Sequence, residues 1–205
     1  RFQDTALYSA PPFPPHLFEE VCEHYAEVVS LAQVDPLLAL KQLKKLCLLS
    51  PHYGGPLGVN QLNELVEAHL RERRLGGWGR AYVGRPVLIT QNHPTTQLVN
   101  GDIGVIGAGK QVHFEGKERP VPFELLPPHR TVYAMSVHKS QGSEFNKVIM
   151  CLPPERSPIL TRELVYTGLT RAKKMAVVLG SPEVLKASLL AKVERGGQLS
   201  KRMEP

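Results

Sequence analysis

Long hydrophobic runs and paired cysteines are both missing from this chain of 205 residues. No apolar run approaches the roughly 20 residues needed to span a bilayer, which excludes a membrane-spanning helix. The N-terminus lacks the basic-then-apolar layout of a signal peptide. The three cysteines, Cys22, Cys47 and Cys151, lie far apart with no C-x-x-C pair. Neither a zinc knuckle nor a disulfide framework is indicated, and a reducing cytoplasm is the expected compartment. Nor is there a single basic block. The cations fall in short groups, Lys41/Lys44/Lys45, Arg71/Arg73/Arg74 and Arg171/Lys173/Lys174, of which the first two read as solvated helix faces.

What is present is enough for a folded core. Hydrophobic residues make up 42% of the chain, and the length suits one large domain or two small ones. The formal charge of +6 and pI near 9.3 fit a surface that meets phosphate, without proving it.

Three periodicities follow one another along the chain. The first fifteen residues are proline-rich and expected to be irregular. FEEVCEHYAEVVSLA then places Phe18, Val21, Cys22, Tyr25, Val28, Val29 and Ala32 at helical spacing. Asp35 offers a cap with Pro36 at the first helical position, and Leu40, Leu43 and Cys47 are read as one face of a second helix. After the break PHYGGPLG, Asn60 is expected to cap a third helix that ends before Gly76 and Gly77, with His69 packed rather than ligating. From Tyr82 the pattern turns to short strands. PVLIT is one, VPFELLP another, and VNGDIGVIGAGKQVHFEG reads as strand, turn, strand with Ile103, Val105, Val112 and Phe114 inward. Beyond Pro128 strands alternate with helices: VYAMSV, KVIMCL, a helix capped by Thr161, MAVVLG, and a helix through SPEVLKASLLAK capped by Ser181. That order points to a parallel sheet, with ligands sought beyond the C-terminal ends of its strands.

GVIGAGKQ, Gly104 to Gln111, nearly spells the phosphate-binding loop G-x-x-x-x-G-K-[ST]. Gly104, Gly109 and Lys110 fit, and Gln111 stands where a magnesium-binding hydroxyl belongs. A working loop of this kind opens directly into a helix. QVHFEG instead alternates like a strand, so the stretch is read as a glycine-rich turn spanning Gly107 to Lys110.

Two segments carry a specific likeness: SVHKSQGSEF, Ser136 to Phe145, and YTGLTRAKK, Tyr166 to Lys174. Both resemble the last two helicase motifs of superfamily 1 DNA helicases, in particular the RecD branch, the alpha subunits of bacterial exodeoxyribonuclease V. GRPVLITQN and NGDIG resemble further segments of that family in the same order, and the likeness extends over about Phe18 to Lys186. It implies an α/β fold: the RecA-like second motor lobe of a P-loop helicase, a parallel sheet with helices, carrying an inserted SH3-like β-barrel. The divisions expected are a helical lead-in and first part of the lobe over 1–94, the barrel over 95–128, and the rest of the lobe over 129–205. The P-loop and magnesium-binding acid would lie in a first lobe, and the family's earlier arginine motif, which normally precedes the helices and which RFQDTALYSA does not match, is expected upstream. This lobe alone is then expected not to turn over ATP.

By the same resemblance Arg171 would be the catalytic arginine that reaches the γ-phosphate, where a guanidinium stabilises developing charge. The structural alternative is a cation serving a helix C-terminus. Gln141, Gly142 and Glu144 would face the nucleotide, and Ser136, His138, Lys139, Asn92 and Asn100 the single-strand backbone. Lys110, His113 and Lys117 are weaker phosphate candidates in the β-rich segment, which has too little aromatic interleaving for a base-stacking platform. Gly168 departs from the small alanine-like residue usual in the family. The implied cofactors are ATP and Mg2+. The implied partners are single-stranded DNA and other exonuclease V subunits, with no membrane, in a cytoplasmic, nucleoid-associated setting, and the implied activity is 5′ to 3′ unwinding in recombinational repair. A non-catalytic DNA-binding or subunit-interaction module, a stand-alone RecD-like helicase and a relaxase-helicase stay open as alternatives.

Overall fold

The computed structural model describes residues 4–8, 13–76 and 78–191. Gly77, Lys192 and the prolines at 11 and 12 therefore lie outside the described residues. Five strands form a parallel sheet: β1 (Asp4–Tyr8), β2 (Leu46–Ser50), β8 (Ala134–Ser136), β9 (Phe145–Cys151) and β10 (Ala172–Leu179), ordered β1-β10-β9-β2-β8. Five others form an antiparallel sheet: β3 (Pro86–Ile89), β4 (Ile103–Ile106), β5 (Gln111–Phe114), β6 (Val121–Pro122) and β7 (His129–Thr131), ordered β6-β5-β4-β3-β7. The helices are α1 (Pro15–Val34), α2 (Pro36–Leu43), α3 (Val59–Glu72), α4 (Arg162–Leu169) and α5 (Pro182–Leu190). None of the described helices is long and apolar enough to cross a membrane.

The parallel sheet is covered on both faces, which is why LCLLS and VIMC are continuous apolar runs rather than alternating ones. Leu48, Ile149, Val177 and Leu179 face α1, α2 and α3. Leu49, Val148, Met150 and Val178 face the side of α4 and α5. Capping works where the sequence placed an oxygen. Asp35 accepts from the Leu37 and Leu38 amides at 2.9 and 3.1 Å, Thr161 from Leu164 at 3.3 Å, and Ser181 from Val184 at 3.1 Å. Such caps stabilise a helix by about 1 kcal/mol each. Gly168 sits inside α4, where a Cβ would meet the Met150 sulfur at 3.0 Å. The glycine therefore lets α4 lie close on β9.

Several expectations are corrected. Asp4–Tyr8, expected to be irregular, is an edge strand paired with Met175 to Leu179. Its own burial is slight, so backbone pairing carries it rather than periodicity. Cys47 shares no helix face with Leu40 and Leu43, because α2 ends at Leu43 and Cys47 lies in β2. Asn60 is not the cap of α3. It lies inside the helix, and the cap position is Gly58, with no side-chain cap bond; a side chain there would run into the Gly54 carbonyl at 2.4 Å. The VPFELLP strand shortens to Val121–Pro122, after which Phe123–Leu125 forms one 3-10 turn.

The antiparallel unit is also wider than 95–128. PVLIT, expected in the parallel lobe, pairs with β4 on one side and with His129–Thr131 on the other. A short buried strand reads the same in either kind of sheet. Val87, Ile89, Leu98, Ile106, Val112 and Phe114 form its own core. Val105 and Ile103 point the other way and join the clusters of the parallel lobe, so only half of the expected inward set packs together.

GVIGAGKQ spans the end of β4, a turn and the start of β5. Gly109 and Lys110 have φ of 61° and 57°, the left-handed region a tight turn uses. Gly104 answers to a different need, since a Cβ there would meet the Phe114 ring at 2.6 Å. The P-loop likeness thus arises from one glycine making room for an aromatic and another serving a turn.

Candidate nucleotide and single-strand site

The segment from Ser136 to Phe145 crosses the lobe. Ser136 ends β8 level with Ser50, whereas Phe145 opens β9 opposite Ala172, the first residue of β10. A 3-10 turn, Val137–Ser140, lies between them, and the Ser136 hydroxyl accepts from the Lys139 amide at 3.4 Å. Val137 and Ser140 are buried, and the Ser140 hydroxyl donates to the Val137 carbonyl at 2.7 Å. The two ends of the segment therefore sit at opposite ends of the strands. Only the Ser136 end lies where ligands were sought, beyond strand C-termini, while Gly142, Glu144 and Arg171 lie at the N-terminal ends of β9 and β10.

At that N-terminal end, Arg171 occupies the turn between α4 and β10 rather than the last helical turn. Its side chain still reaches back to the last turn of α4, so the helix C-terminus alternative keeps its geometry. Its guanidinium donates to the Thr167 carbonyl at 3.2 Å, the Thr170 hydroxyl at 3.4 Å and the Ser143 carbonyl at 3.5 Å. Its own carbonyl accepts from the Phe145 amide at 2.9 Å. The arginine and the glycine-containing loop are thereby joined. Neutral acceptors orient a guanidinium without cancelling its charge. Gly142 has φ of 86°, and nothing lies within 4 Å of where its Cβ would be. Glu144 pairs with Lys173 at 3.2 Å.

A cleft of about 570 Å³ opens beside this loop. Gly142, Glu144 and Lys173 line it, together with Lys41 of α2, Lys44 just after that helix, and Asp102 and Glu115 of the antiparallel unit. Gln141 and Arg171 stand next to it without lining it. Three ammonium groups, Lys41, Lys44 and Lys173, share the lining with three carboxylates, Asp102, Glu115 and Glu144, and Lys44 pairs with Glu115 as Lys173 does with Glu144, so the lining carries no net charge. Magnesium is a different matter: among the described residues no three His, Cys, Asp or Glu side chains converge on a metal position. The described residues here do not fit the metal that would accompany a nucleotide.

At the other end, three of the expected strand-contact residues meet. The Asn92 side chain accepts from the Asn100 amide at 2.8 Å, and the Asn100 side chain accepts from Lys139 Nζ at 2.8 Å. This chain ties the loop of the antiparallel unit to the HKS turn. His138 is exposed on that turn. Ser136 is only 4% exposed, and its hydroxyl positions Lys139. The weaker candidates are engaged locally: Lys110 lies 3.5 Å from Glu124, and Lys117 donates to the Gln97 carbonyl at 2.7 Å. Burial lowers the pKa of His113.

A second cleft, about 440 Å³, lies beside Lys139 and Ser136, and Tyr53, Thr90 and Arg130 line it as well. Sequence reasoning missed all three. Tyr53 fell in a segment read only as a helix break, Arg130 is the middle of a three-residue strand and Thr90 follows a four-residue one, lengths at which spacing carries no signal.

Comparison with known proteins now defines the class. Residues 131–179 match the UvrD-like helicase C-terminal domain, a span that runs from β7 through β10 and holds both ends of the crossing segment and Arg171. The RecBCD enzyme subunit RecD of Haemophilus influenzae is 41% identical over 152 residues, covering 72% of this chain and 23% of its own length. That of Mycolicibacterium smegmatis is 39% identical over 175 residues, covering 83% of this chain and 31% of its own length. The ATP-dependent RecD2 DNA helicase of Deinococcus radiodurans is 34% identical over 140 residues, covering 65% and 20%. The chain thus belongs to the RecD family, and it spans between 23% and 31% of the two RecD subunits' lengths. A crystal structure of Pif1 helicase from Bacteroides with ADP-AlF3 and ssDNA aligns over 88% of this chain and 52% of that one, at 15% identity and a TM-score of 0.49.

Proposed function

We propose that this chain is the second motor lobe of an ATP-dependent, 5′ to 3′ DNA helicase, the alpha subunit of an exodeoxyribonuclease V acting in double-strand break repair. The observation that carries the reading is the junction of Arg171 with the Ser143 carbonyl at the start of β9 and β10. Nucleotide and Mg2+ would be held mainly by a P-loop lobe, and bound ATP supplies the phosphoryl group whose charge changes during hydrolysis. Arg171 would bring its oriented guanidinium to the γ-phosphate, a contribution of about 10³ to 10⁵ in rate for arginines of this kind. Gln141 would hydrogen-bond the same phosphate, Gly142 would let the backbone approach it, and Glu144 would accept from the ribose. The lobe by itself would be inactive.

On the other side, Lys139, His138, Asn92 and Asn100 would meet the backbone of single-stranded DNA, with Ser136 holding Lys139 in place. The antiparallel unit would act as the SH3-like insertion beside the strand, and other nuclease subunits would dock elsewhere. In the full-length protein, Arg171→Ala is expected to abolish DNA-stimulated ATP hydrolysis, about 10³-fold or more, while single-strand affinity stays within twofold. Unchanged turnover in that variant would remove Arg171 from the ATP site.

A further inference from the structure

The cleft at the edges of the two sheets has a chemistry that backbone binding alone does not need. β7 and β8 are the edge strands of the antiparallel and parallel sheets, joined through Val132 and Tyr133. The floor between them is apolar, with Leu88, Val132 and Met135, and the rim is polar, with Thr90, Ser136 and Lys139. Across it stands Tyr53, 42% exposed. The Arg130 guanidinium carbon lies 5.6 Å from its ring centroid, and its hydroxyl lies 3.4 Å from the Ser136 hydroxyl. An aromatic ring held at its face by a cation and at its tip by a hydroxyl is fixed in orientation, yet nearly half of it is open to solvent.

We propose that Tyr53, backed by Arg130, is a stacking site for one nucleobase of single-stranded DNA. The base lies on the ring over the apolar floor, while an adjoining phosphate meets Lys139. Every base has a flat π-face, so this contact adds affinity without reading sequence. A planar aromatic next to an anion is what this arrangement can hold: the ring and floor take the plane, and the ammonium takes the charge. Asn100 holds that ammonium through a 2.8 Å bond. The inference rests on the lobe binding single-stranded DNA, and it adds base contact to a surface otherwise limited to the backbone.

The test uses the full-length protein with two oligonucleotides of equal length, oligo-dT and an abasic backbone, and reads binding by fluorescence anisotropy. The parent is expected to prefer oligo-dT. Tyr53→Ala should weaken oligo-dT about tenfold and leave the abasic strand unchanged, with the salt dependence of binding unaltered because no phosphate contact is lost. Tyr53→Phe should bind like the parent, which separates ring loss from misfolding. A 2-aminopurine placed in the strand should be quenched on binding by the parent and by Tyr53→Phe, and not by Tyr53→Ala. Equal binding of both strands by the parent, or Tyr53→Ala indistinguishable from it in affinity and quenching, overturns the stacking site alone. Failure of the parent to bind either strand overturns the stacking site together with the reading of the lobe as a DNA-binding motor part.

Discussion

The two clefts of this lobe are served by one segment, Ser136 to Phe145, and they are built in opposite ways. At the start of β9 and β10 the residues of interest, Gln141, Gly142 and Glu144, are exposed on a loop, Glu144 is paired with Lys173, and Arg171 is held by three oxygens. At the ends of β2 and β8 the polar groups are already linked, Asn92 to Asn100 to Lys139 and Ser136 to both Lys139 and Tyr53. The first offers an exposed loop beside one oriented guanidinium and one ion pair. The second offers a preassembled surface with an apolar floor. A site shared with another body needs the former; a track that takes one nucleotide after another is served by the latter.

The largest effect that would sharpen this contrast belongs to Arg171→Lys. The charge survives, but the planar fork that bonds Thr167, Thr170 and Ser143 is lost, so DNA-stimulated ATP turnover should fall about 100-fold while single-strand affinity holds. Steady-state ATPase assays with saturating oligonucleotide measure it, and near-normal turnover would mean that the charge needs no fixed geometry. Next comes Lys139→Ala. It should weaken oligonucleotide binding about tenfold and reduce the slope of log affinity against log salt by about 1, with DNA-independent ATP turnover unchanged. A lost affinity without a change of slope would show that Lys139 acts through Asn100 and not on phosphate.

The smallest effect concerns acid. His24 is buried between α1 and α2, close to Gln42, Glu27 and Lys45, and burial, with a smaller push from Lys45, lowers its pKa from 6.5 to about 4. The folded state therefore disfavours the charged ring. Its contribution to stability is complete above pH 6.5 and is lost as pH falls from there towards 4, by about 1 kcal/mol per pH unit. α2 walls the first cleft and not the second. Thermal melts from pH 7 to 5 should show the loss, and His24→Gln should flatten it. An unchanged pH slope in His24→Gln would assign the acid sensitivity to other groups.

How much of this could be read beforehand depended on the kind of signal each residue carried. The caps at Asp35, Thr161 and Ser181 were legible because a side-chain oxygen before a helical stripe has few other uses. The parallel lobe was legible from strands alternating with helices, and the helicase motifs from their order. Cys47 was misread because Leu40, Leu43 and Cys47 fit a helical stripe whether or not the chain turns at Lys44. Pro86–Ile89 was misassigned because a four-residue buried strand carries no information about its partners. Asp4–Tyr8 was missed because its pairing with β10 is long-range and its side chains are mostly exposed. Lys139 and Arg171 came from motifs, whereas Tyr53 needed three separate parts of the chain, β2, β7 and the turn after β8, to be brought together.

The separation of the two clefts can be tested in one experiment on full-length protein. ATP turnover and single-strand affinity are measured together for the parent, Arg171→Ala, Lys139→Ala and the double variant. The account predicts a crossed pattern: Arg171→Ala loses turnover and keeps affinity, Lys139→Ala loses affinity and keeps DNA-independent turnover, and the double variant shows both losses. A loss of single-strand affinity in Arg171→Ala as large as that in Lys139→Ala would contradict it.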